Sequence, residues 1–127
     1  MKYALLFVAV IIPFISSASE MEKENQIVDF LSYCESRHNE RAINPKDSDG
    51  TASWSEFQFK IGTLKSFGVL YGLLKEVDNA WDHRFDSMLQ ENILRRMIRN
   101  KVNLASQFPA CWKRYLNGAR VPDENRF

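Results

Sequence analysis

The spacing of apolar residues predicts four helices. The first begins at a capping-box pair, Ser19 and Glu22, whose side chains satisfy the free backbone N–H groups of a helix start. Its apolar stripe at helical spacing consists of Ile27, Phe30, Leu31 and Cys34. A second apolar face runs over residues 63–77, where Gly68 and Gly72 interrupt it at a cost of about 1 kcal/mol each.

Two further helices are predicted in the C-terminal part of the chain. Ser87 and Gln90 form another capping-box pair, which opens a helix over residues 87–102. The apolar stripe of this helix consists of Leu89, Ile93, Leu94, Met97 and Ile98. Pro109 suits a first helical position and Gly118 the position just past a helix end, so the segment between them is a predicted short helix.

The segment between the first two helices is polar and rich in turn signals. Asn44-Pro45 stops a helix, and Asp49-Gly50 is a strong turn signal. Residues 52–59 are predicted to be extended, and the alternation of side chains in an extended segment sends Phe57 and Phe59 into the core. These patterns predict one small, mainly helical domain with a short β-hairpin or loop region.

Residues 1–18 have the layout of a secretory signal peptide. Lys2 carries their only charge, residues 4–15 are uncharged and mostly apolar, and small residues occupy positions 16–18. The apolar run is too short for a spanning helix, which needs roughly 20 residues, although an uncleaved anchor is the alternative. We therefore expect residues 1–18 to be removed and residues 19–127 to form a secreted domain outside the membrane.

The charge balance of the chain is close to neutral. There are 17 Lys and Arg against 16 Asp and Glu, and removal of Lys2 with the leader makes the two counts equal. Nucleic-acid binding requires a basic face, so this composition argues against it. It also gives no electrostatic reason to expect strong binding to anionic lipid. The expected partner is neutral or mixed in charge, and the expected state is a monomer.

The chain has two cysteines, Cys34 and Cys111. Two cysteines in a secreted chain allow a single intramolecular pairing, which an oxidising compartment permits, and two buried free thiols are the alternative. Neither cysteine belongs to a CxxC pair, and His38 and His83 lack a partner at ligand spacing. No metal site and no cofactor are therefore expected.

Glu35 is the candidate for acid–base chemistry. It follows Ile27 and Leu31 on one helical row, at the edge of the apolar stripe and near the C-terminal end of the predicted helix. Partial burial and the negative end of the helix dipole both favour the protonated carboxyl. A general acid that acts near neutral pH needs such a raised pKa. An ordinary solvated glutamate is the alternative.

The residues that follow Glu35 resemble a family signature. They are Glu35-Ser36, Asn39, Ala42, Asn44-Pro45, Asp49-Gly50, Ser53-Trp54 and Phe57-Gln58. Their order and spacing resemble those of the lysozyme-like lytic transglycosylases. Cys34 before Glu35, with the late Phe108-Pro109-Ala110-Cys111, also resembles the resuscitation-promoting factors, a small secreted branch of the same fold whose two cysteines are bridged.

The resemblance implies a lysozyme-like α+β fold in which the β-hairpin or loop region forms one wall of a saccharide cleft. Glu35 would be the single catalytic acid/base, while Ser53 and Gln58 match positions that shape the cleft and contact the glycan. Trp54, on the outward face of an extended segment, would stack on a sugar, and packing in the core is the alternative for this residue as for Trp81 and Trp112. The implied substrate is the glycan strand of peptidoglycan, cleaved at the β-1,4 bond after N-acetylmuramic acid to give a 1,6-anhydro sugar.

Several positions depart from the family pattern. Arg37 and His38 replace the usual small residues after Glu-Ser. Ser55 and Glu56 stand where the family usually has a glycine and an aliphatic residue. A peptidoglycan-binding module of the same fold with a degenerate cleft is therefore an alternative function.

A hydrolytic mechanism requires a second carboxylate. Asp47, Asp49 and Glu56 are near enough in the sequence to supply it, although a solvated turn is the favoured interpretation of both aspartates. Animal lysozymes place their second carboxylate at a position that corresponds to Ser53, which favours the one-carboxylate route. Together with Gly50, the three acidic residues also match the spacing of an EF-hand loop, so a calcium-binding protein is a further alternative.

Overall fold

The computed structural model describes residues 17–47 and 49–123. Its elements are α1 (Ser17–Ser36), β1 (Ile43–Asn44), β2 (Ser53–Trp54), α2 (Ile61–Leu70), a 3-10 helix (Ala80–His83), α3 (Ser87–Arg99), α4 (Leu104–Gln107) and α5 (Pro109–Leu116). The predicted mainly helical domain with a small two-stranded antiparallel sheet is confirmed. Most of the predicted leader, residues 1–16, lies outside the described residues. Within the described ranges, no helix has the length and apolarity needed to cross a membrane.

Helix α1 brings its predicted stripe to the core. Ile27, Phe30 and Leu31 are buried, and Cys34 packs against the core cluster. The helix already includes Ser17 and Ala18, so the prediction that it begins at Ser19 is wrong for the full chain. Each residue added to an existing helix gains a backbone hydrogen bond, and neither of these two small residues blocks that extension.

Helix α2 is shorter than its predicted range of residues 63–77. It ends at Leu70, and Gly72 then adopts a φ of 71°, a left-handed conformation that glycine accepts without strain. The chain turns back and packs Leu74 on Gly68, where an added Cβ would meet Leu74 Cδ1 at 2.6 Å. The last turn of the predicted apolar face is therefore absent, and Val77 is 89% exposed.

Helix α3 matches the prediction along its buried face but not at its ends. The buried residues of the stripe are Leu89, Ile93, Leu94 and Met97. Its N-cap is Asp86, whose carboxylate accepts a hydrogen bond from Leu89 N at 3.0 Å. The predicted capping box is therefore wrong: Ser87 is the first helical residue, and Gln90 is buried and bonds elsewhere. The helix ends at Arg99 rather than at residue 102.

The C-terminal part contains the predicted short helix and one more. Helix α5 has Pro109 in its first turn, and Gly118 follows its end with a φ of 98°, in agreement with the sequence pattern. Helix α4 was not predicted. Its N-cap Asn103 accepts a hydrogen bond from Ala105 N at 3.1 Å, which is a typical helix start for asparagine.

The small sheet supports the turn that precedes α2. Strands β1 and β2 are antiparallel and pair Ile43 with Trp54 and Asn44 with Ser53. The prediction that residues 52–59 are extended holds only as far as Trp54. Beyond it the chain turns and returns, so that Trp54 and Phe59 exchange backbone hydrogen bonds of 3.0 and 3.1 Å. Phe57 and Phe59 are nevertheless buried, as predicted.

A disulfide closes the domain. Cys34 at the end of α1 is bonded to Cys111 in α5, with their Cα atoms 5.8 Å apart and a sequence separation of 77. The single predicted pairing is therefore present in the structure. It fixes the end of α1, where Glu35 lies, against the C-terminal helix.

Candidate active site

Glu35 is the penultimate residue of α1. It is half-buried, and within the described part of the chain its carboxyl has no hydrogen-bond partner. Burial is the main cause that raises the pKa of Glu35 to about 7, and the negative charge of Asp47 raises it further. The guanidinium of Arg114 acts in the opposite direction. Glu35 is therefore partly protonated at neutral pH, with the direction of shift that the sequence predicts.

Asp47 is anchored beside this carboxyl. Ser53, which is fully buried, donates a hydrogen bond from Oγ to Asp47 Oδ2 at 2.7 Å. The ammonium of Lys60 lies 3.6 Å from the same oxygen. Asp47 is a turn residue whose side chain is 36% exposed, and its carboxylate is in addition held by Ser53 and raises the pKa of Glu35.

Asp49, in contrast, lies at the surface, as the sequence interpretation has it. Its side chain is 53% exposed, and its Oδ1 accepts hydrogen bonds of 2.7 Å from both Lys60 Nζ and Thr51 Oγ1. These hydrogen bonds hold the pKa of Asp49 well below its usual range. Asp49 is therefore a surface carboxylate paired with Lys60.

Three of the four residues that depart from the family pattern have a left-handed backbone conformation. Arg37, His38 and Ser55 have φ angles of 57°, 62° and 67°, and a non-glycine residue pays on the order of 1 kcal/mol for this conformation. Glycine at these positions would avoid that strain, because it has no Cβ. The buried Ser55 compensates by donating a hydrogen bond from Oγ to Glu40 O at 2.8 Å.

Gln58 and Trp54 are both engaged within the protein. Gln58 has a φ of 55°, and its Nε2 donates hydrogen bonds to Ser55 O at 2.8 Å and Ala42 O at 3.2 Å. Trp54 is half-buried and meets Trp81 and Phe85 edge-on, with ring centroids 5.2 and 5.6 Å apart. Among the sequence candidates, Ser53 and Gln58 therefore organise the loop, and Trp54 belongs to an aromatic cluster.

Glu56 is fixed between two helices. Its carboxylate accepts hydrogen bonds of 2.5 Å from Ser32 Oγ in α1 and from Ser87 Oγ in α3. Ser32 Oγ also lies 2.7 Å from His38 Nδ1. Glu56 is therefore turned away from the aspartates of the loop, and the carboxylates of the EF-hand alternative do not converge. No cluster of three or more His, Cys, Asp or Glu that could hold a metal ion occurs among the described residues.

Two cavities flank the region without including Glu35 among their lining residues. One, of about 480 Å³, is lined by side chains of α1 and α3 together with Glu56 and Arg120. The other, of about 580 Å³, is lined by Trp54, Trp81 and Lys60 among others. Lys60, which lines the second cavity, also places its ammonium beside Asp47.

The sequence patterns did not predict the positions of two residues in this region, Arg114 and Trp81. Arg114 lies one helical turn after Cys111, so a predicted disulfide to Cys34 is enough to place it near Glu35. Trp81 sits in a segment that reads as a polar connection, and no sequence signal shows that the segment folds against Trp54. Comparisons of the chain with protein families, with curated proteins and with solved structures found no match.

Proposed function

We propose that the chain is a secreted lysozyme-like enzyme that cleaves the glycan strands of peptidoglycan, with Glu35 as its general acid. The observation that carries the proposal is the half-buried Glu35 carboxyl with a pKa of about 7. It lies at the helix end that the family signature assigns to the catalytic residue. The substrate class comes from that resemblance, and the left-handed turns at Arg37, His38 and Ser55 support a retained local geometry.

The proposed reaction needs one carboxyl. Protonated Glu35 donates its proton to the glycosidic oxygen as the β-1,4 bond breaks. The resulting carboxylate then accepts the proton of the muramyl 6-hydroxyl, whose oxygen attacks the anomeric carbon and closes a 1,6-anhydro ring. Ser53 has no ionisable group to offer as a second carboxylate. Burial, and to a smaller extent the charge of Asp47, raise the pKa of Glu35 and so favour the protonated form before cleavage.

Hydrolysis is the second candidate reaction, because a carboxylate does lie next to Ser53. Asp47 accepts the hydrogen bond of Ser53 and acts electrostatically on Glu35. In this alternative Asp47 would assist the attack of a water molecule or stabilise the developing positive charge of the sugar. Its product is a reducing sugar of full mass.

Secretion is supported by two features of the chain. The Cys34–Cys111 disulfide suits an oxidising compartment, and residues 1–18 have the layout of a leader. Peptidoglycan lies in such a compartment, outside the cytoplasmic membrane.

The test is mass spectrometry of the sugars that residues 19–127 release from purified peptidoglycan, beside Glu35→Gln and Asp47→Asn variants. Products one water lighter than hydrolysis gives, lost with Glu35→Gln and retained with Asp47→Asn, support the one-carboxylate enzyme. Full-mass reducing products that require both residues support the hydrolase. Binding to peptidoglycan without any release, from a folded and disulfide-bonded protein, contradicts both reactions and favours the binding module.

A further inference from the structure

The cavity of about 580 Å³ has the architecture of a small-molecule site. Its wall is aromatic, formed by Trp54, Trp81 and Phe67, and its rim is polar, with Thr51, Lys60 and Asp49. Ligand sites in proteins are commonly concavities of roughly 300–1,000 Å³ with an apolar wall and a few polar groups that fix orientation. Nothing in the Glu35 reaction accounts for this cavity.

Trp81 is held in place and still open to solvent. Its residue is 46% exposed, although Trp54 contacts it edge-on and the guanidinium of Arg84 lies 4.0 Å from the ring centroid. A fixed indole loses little conformational freedom when a ligand binds. Its flat apolar surface with a polar N–H suits a ligand that is apolar on one side and polar at its edge, as a pyranose ring is.

The charges on the rim favour a neutral ligand. Lys60 Nζ donates hydrogen bonds to Asp49 Oδ1 at 2.7 Å and to Thr51 Oγ1 at 2.9 Å. The positive and negative charges of the rim are therefore already paired, which leaves no excess charge to select an ion. The same groups offer donors and acceptors to hydroxyl and amide groups.

We propose that this cavity binds one N-acetylhexosamine unit of a glycan strand, with Trp81 as the stacking residue and Thr51, Lys60 and Asp49 as its polar contacts. The inference rests on the proposed function for the class of saccharide. Lys60 connects the rim of the cavity to Asp47, because its ammonium is 3.6 Å from Asp47 Oδ2. The cavity is a subsite that holds the strand while another sugar lies at Glu35.

The experiment measures binding without turnover. An oligomer of N-acetylglucosamine is titrated into the Glu35→Gln protein, with tryptophan fluorescence and calorimetry as readouts. Trp81→Ala, added to that background, is expected to weaken binding at least about five-fold, because it removes an aromatic contact. The matched control is Trp112→Phe, at a residue that does not line this cavity. A phenylalanine can stack on Tyr115 as Trp112 does, so Kd is expected to be unchanged.

A second variant distinguishes a loss of binding from a folding defect. Thr51 is exposed on the rim, so Thr51→Val leaves the core intact and is expected to weaken binding by about three-fold, the effect of one hydrogen bond. An unchanged Kd with both Trp81→Ala and Thr51→Val, or no binding by the parent protein, overturns the subsite. In the active chain, Trp81→Ala is expected to raise KM more than it lowers kcat.

The subsite and the proposed enzyme fail in different ways. Binding that depends on Trp81 in a chain that releases no sugar supports the subsite and contradicts the enzyme. Release of sugars by the parent protein with a Kd and KM indifferent to Trp81 supports the enzyme and overturns the subsite.

Discussion

Gln90 Oε1 accepts a hydrogen bond from the backbone N–H of Phe57 at 3.0 Å, and both residues are fully buried. The amide group of the same side chain donates to Trp54 O at 2.8 Å. Through these two hydrogen bonds, the Gln90 side chain of α3 stabilises the turn between Trp54 and Phe59. The loop residues near Glu35 depend on a side chain that belongs to another element.

Replacing Gln90 with methionine is expected to destabilise the protein by about 1–3 kcal/mol. The methionine fills a similar volume but leaves the buried Phe57 N–H without its hydrogen-bond partner, whereas Trp54 O keeps the hydrogen bond from Phe59 N. Urea unfolding measures the change. Gln107→Met is the control, because the side chain of Gln107 makes no hydrogen bond to the described residues. Equal stability of the two variants would contradict the role of Gln90.

Stability is expected to depend on pH through Glu35. Its pKa in the folded protein is about 7, against an ordinary value of 4.5, so the folded state binds this proton more tightly. The contribution of Glu35 to the free energy of unfolding is fully present below about pH 4.5 and is lost as the pH rises through 7. It amounts to at most roughly 3 kcal/mol. Unfolding free energies measured from pH 4 to 8 should show this decrease, and Glu35→Gln should abolish that part of it.

Two charge variants are expected to move the pKa of Glu35 in opposite directions. Asp47→Asn removes a negative neighbour and lowers it, whereas Arg114→Gln removes a positive neighbour and raises it. Side-chain carbon NMR of Glu35 reads both shifts directly. In the proposed enzyme the alkaline limb of the pH–rate profile should move in the same directions. Shifts of the same sign in both variants would refute this account of the site.

Two substitutions of Ser55 distinguish the cost of its backbone strain from the contribution of its hydrogen bond to stability. Ser55→Ala keeps the strained φ of 67° and removes the hydrogen bond to Glu40 O, so a loss of about 1 kcal/mol is expected. Ser55→Gly loses the same hydrogen bond but relieves the backbone strain, which offsets roughly 1 kcal/mol of that loss. The stability of this variant should therefore be close to that of the parent protein. Thermal unfolding of the two variants compares them, and an alanine variant as stable as the glycine variant would count against strain at this position.

The apolar periodicity was sufficient to predict the core faces of α1 and α3 and the short α5. It failed where a backbone conformation or a distant partner decides the structure. The turn at Gly72 ends α2 early because Leu74 can approach Gly68, a contact that no local pattern encodes. Asp86 is the N-cap in place of Ser87, whose hydroxyl donates a hydrogen bond to the half-buried carboxylate of Glu56 instead.

The candidate site was predictable in its central residue and not in its surroundings. The helical row and the family resemblance both point to Glu35, and its burial follows from the stripe that it borders. The effect of Asp47 depends on where Ser53 directs its hydroxyl across the sheet. The cavity beside Trp81 depends on the packing of the polar segment around Trp81 against Trp54, so the sequence alone did not predict it.

The covalent loop closed by Cys34 and Cys111 contains the sheet, α2, α3 and α4. A protease that cuts the exposed turn at Gly50 therefore produces two polypeptides that stay linked. Such a nicked molecule keeps α1 joined to α5 and migrates as one species until a reductant is added. Domains that meet proteases outside the cell gain from this arrangement, because a single cleavage in the loop does not release the segment that carries Glu35.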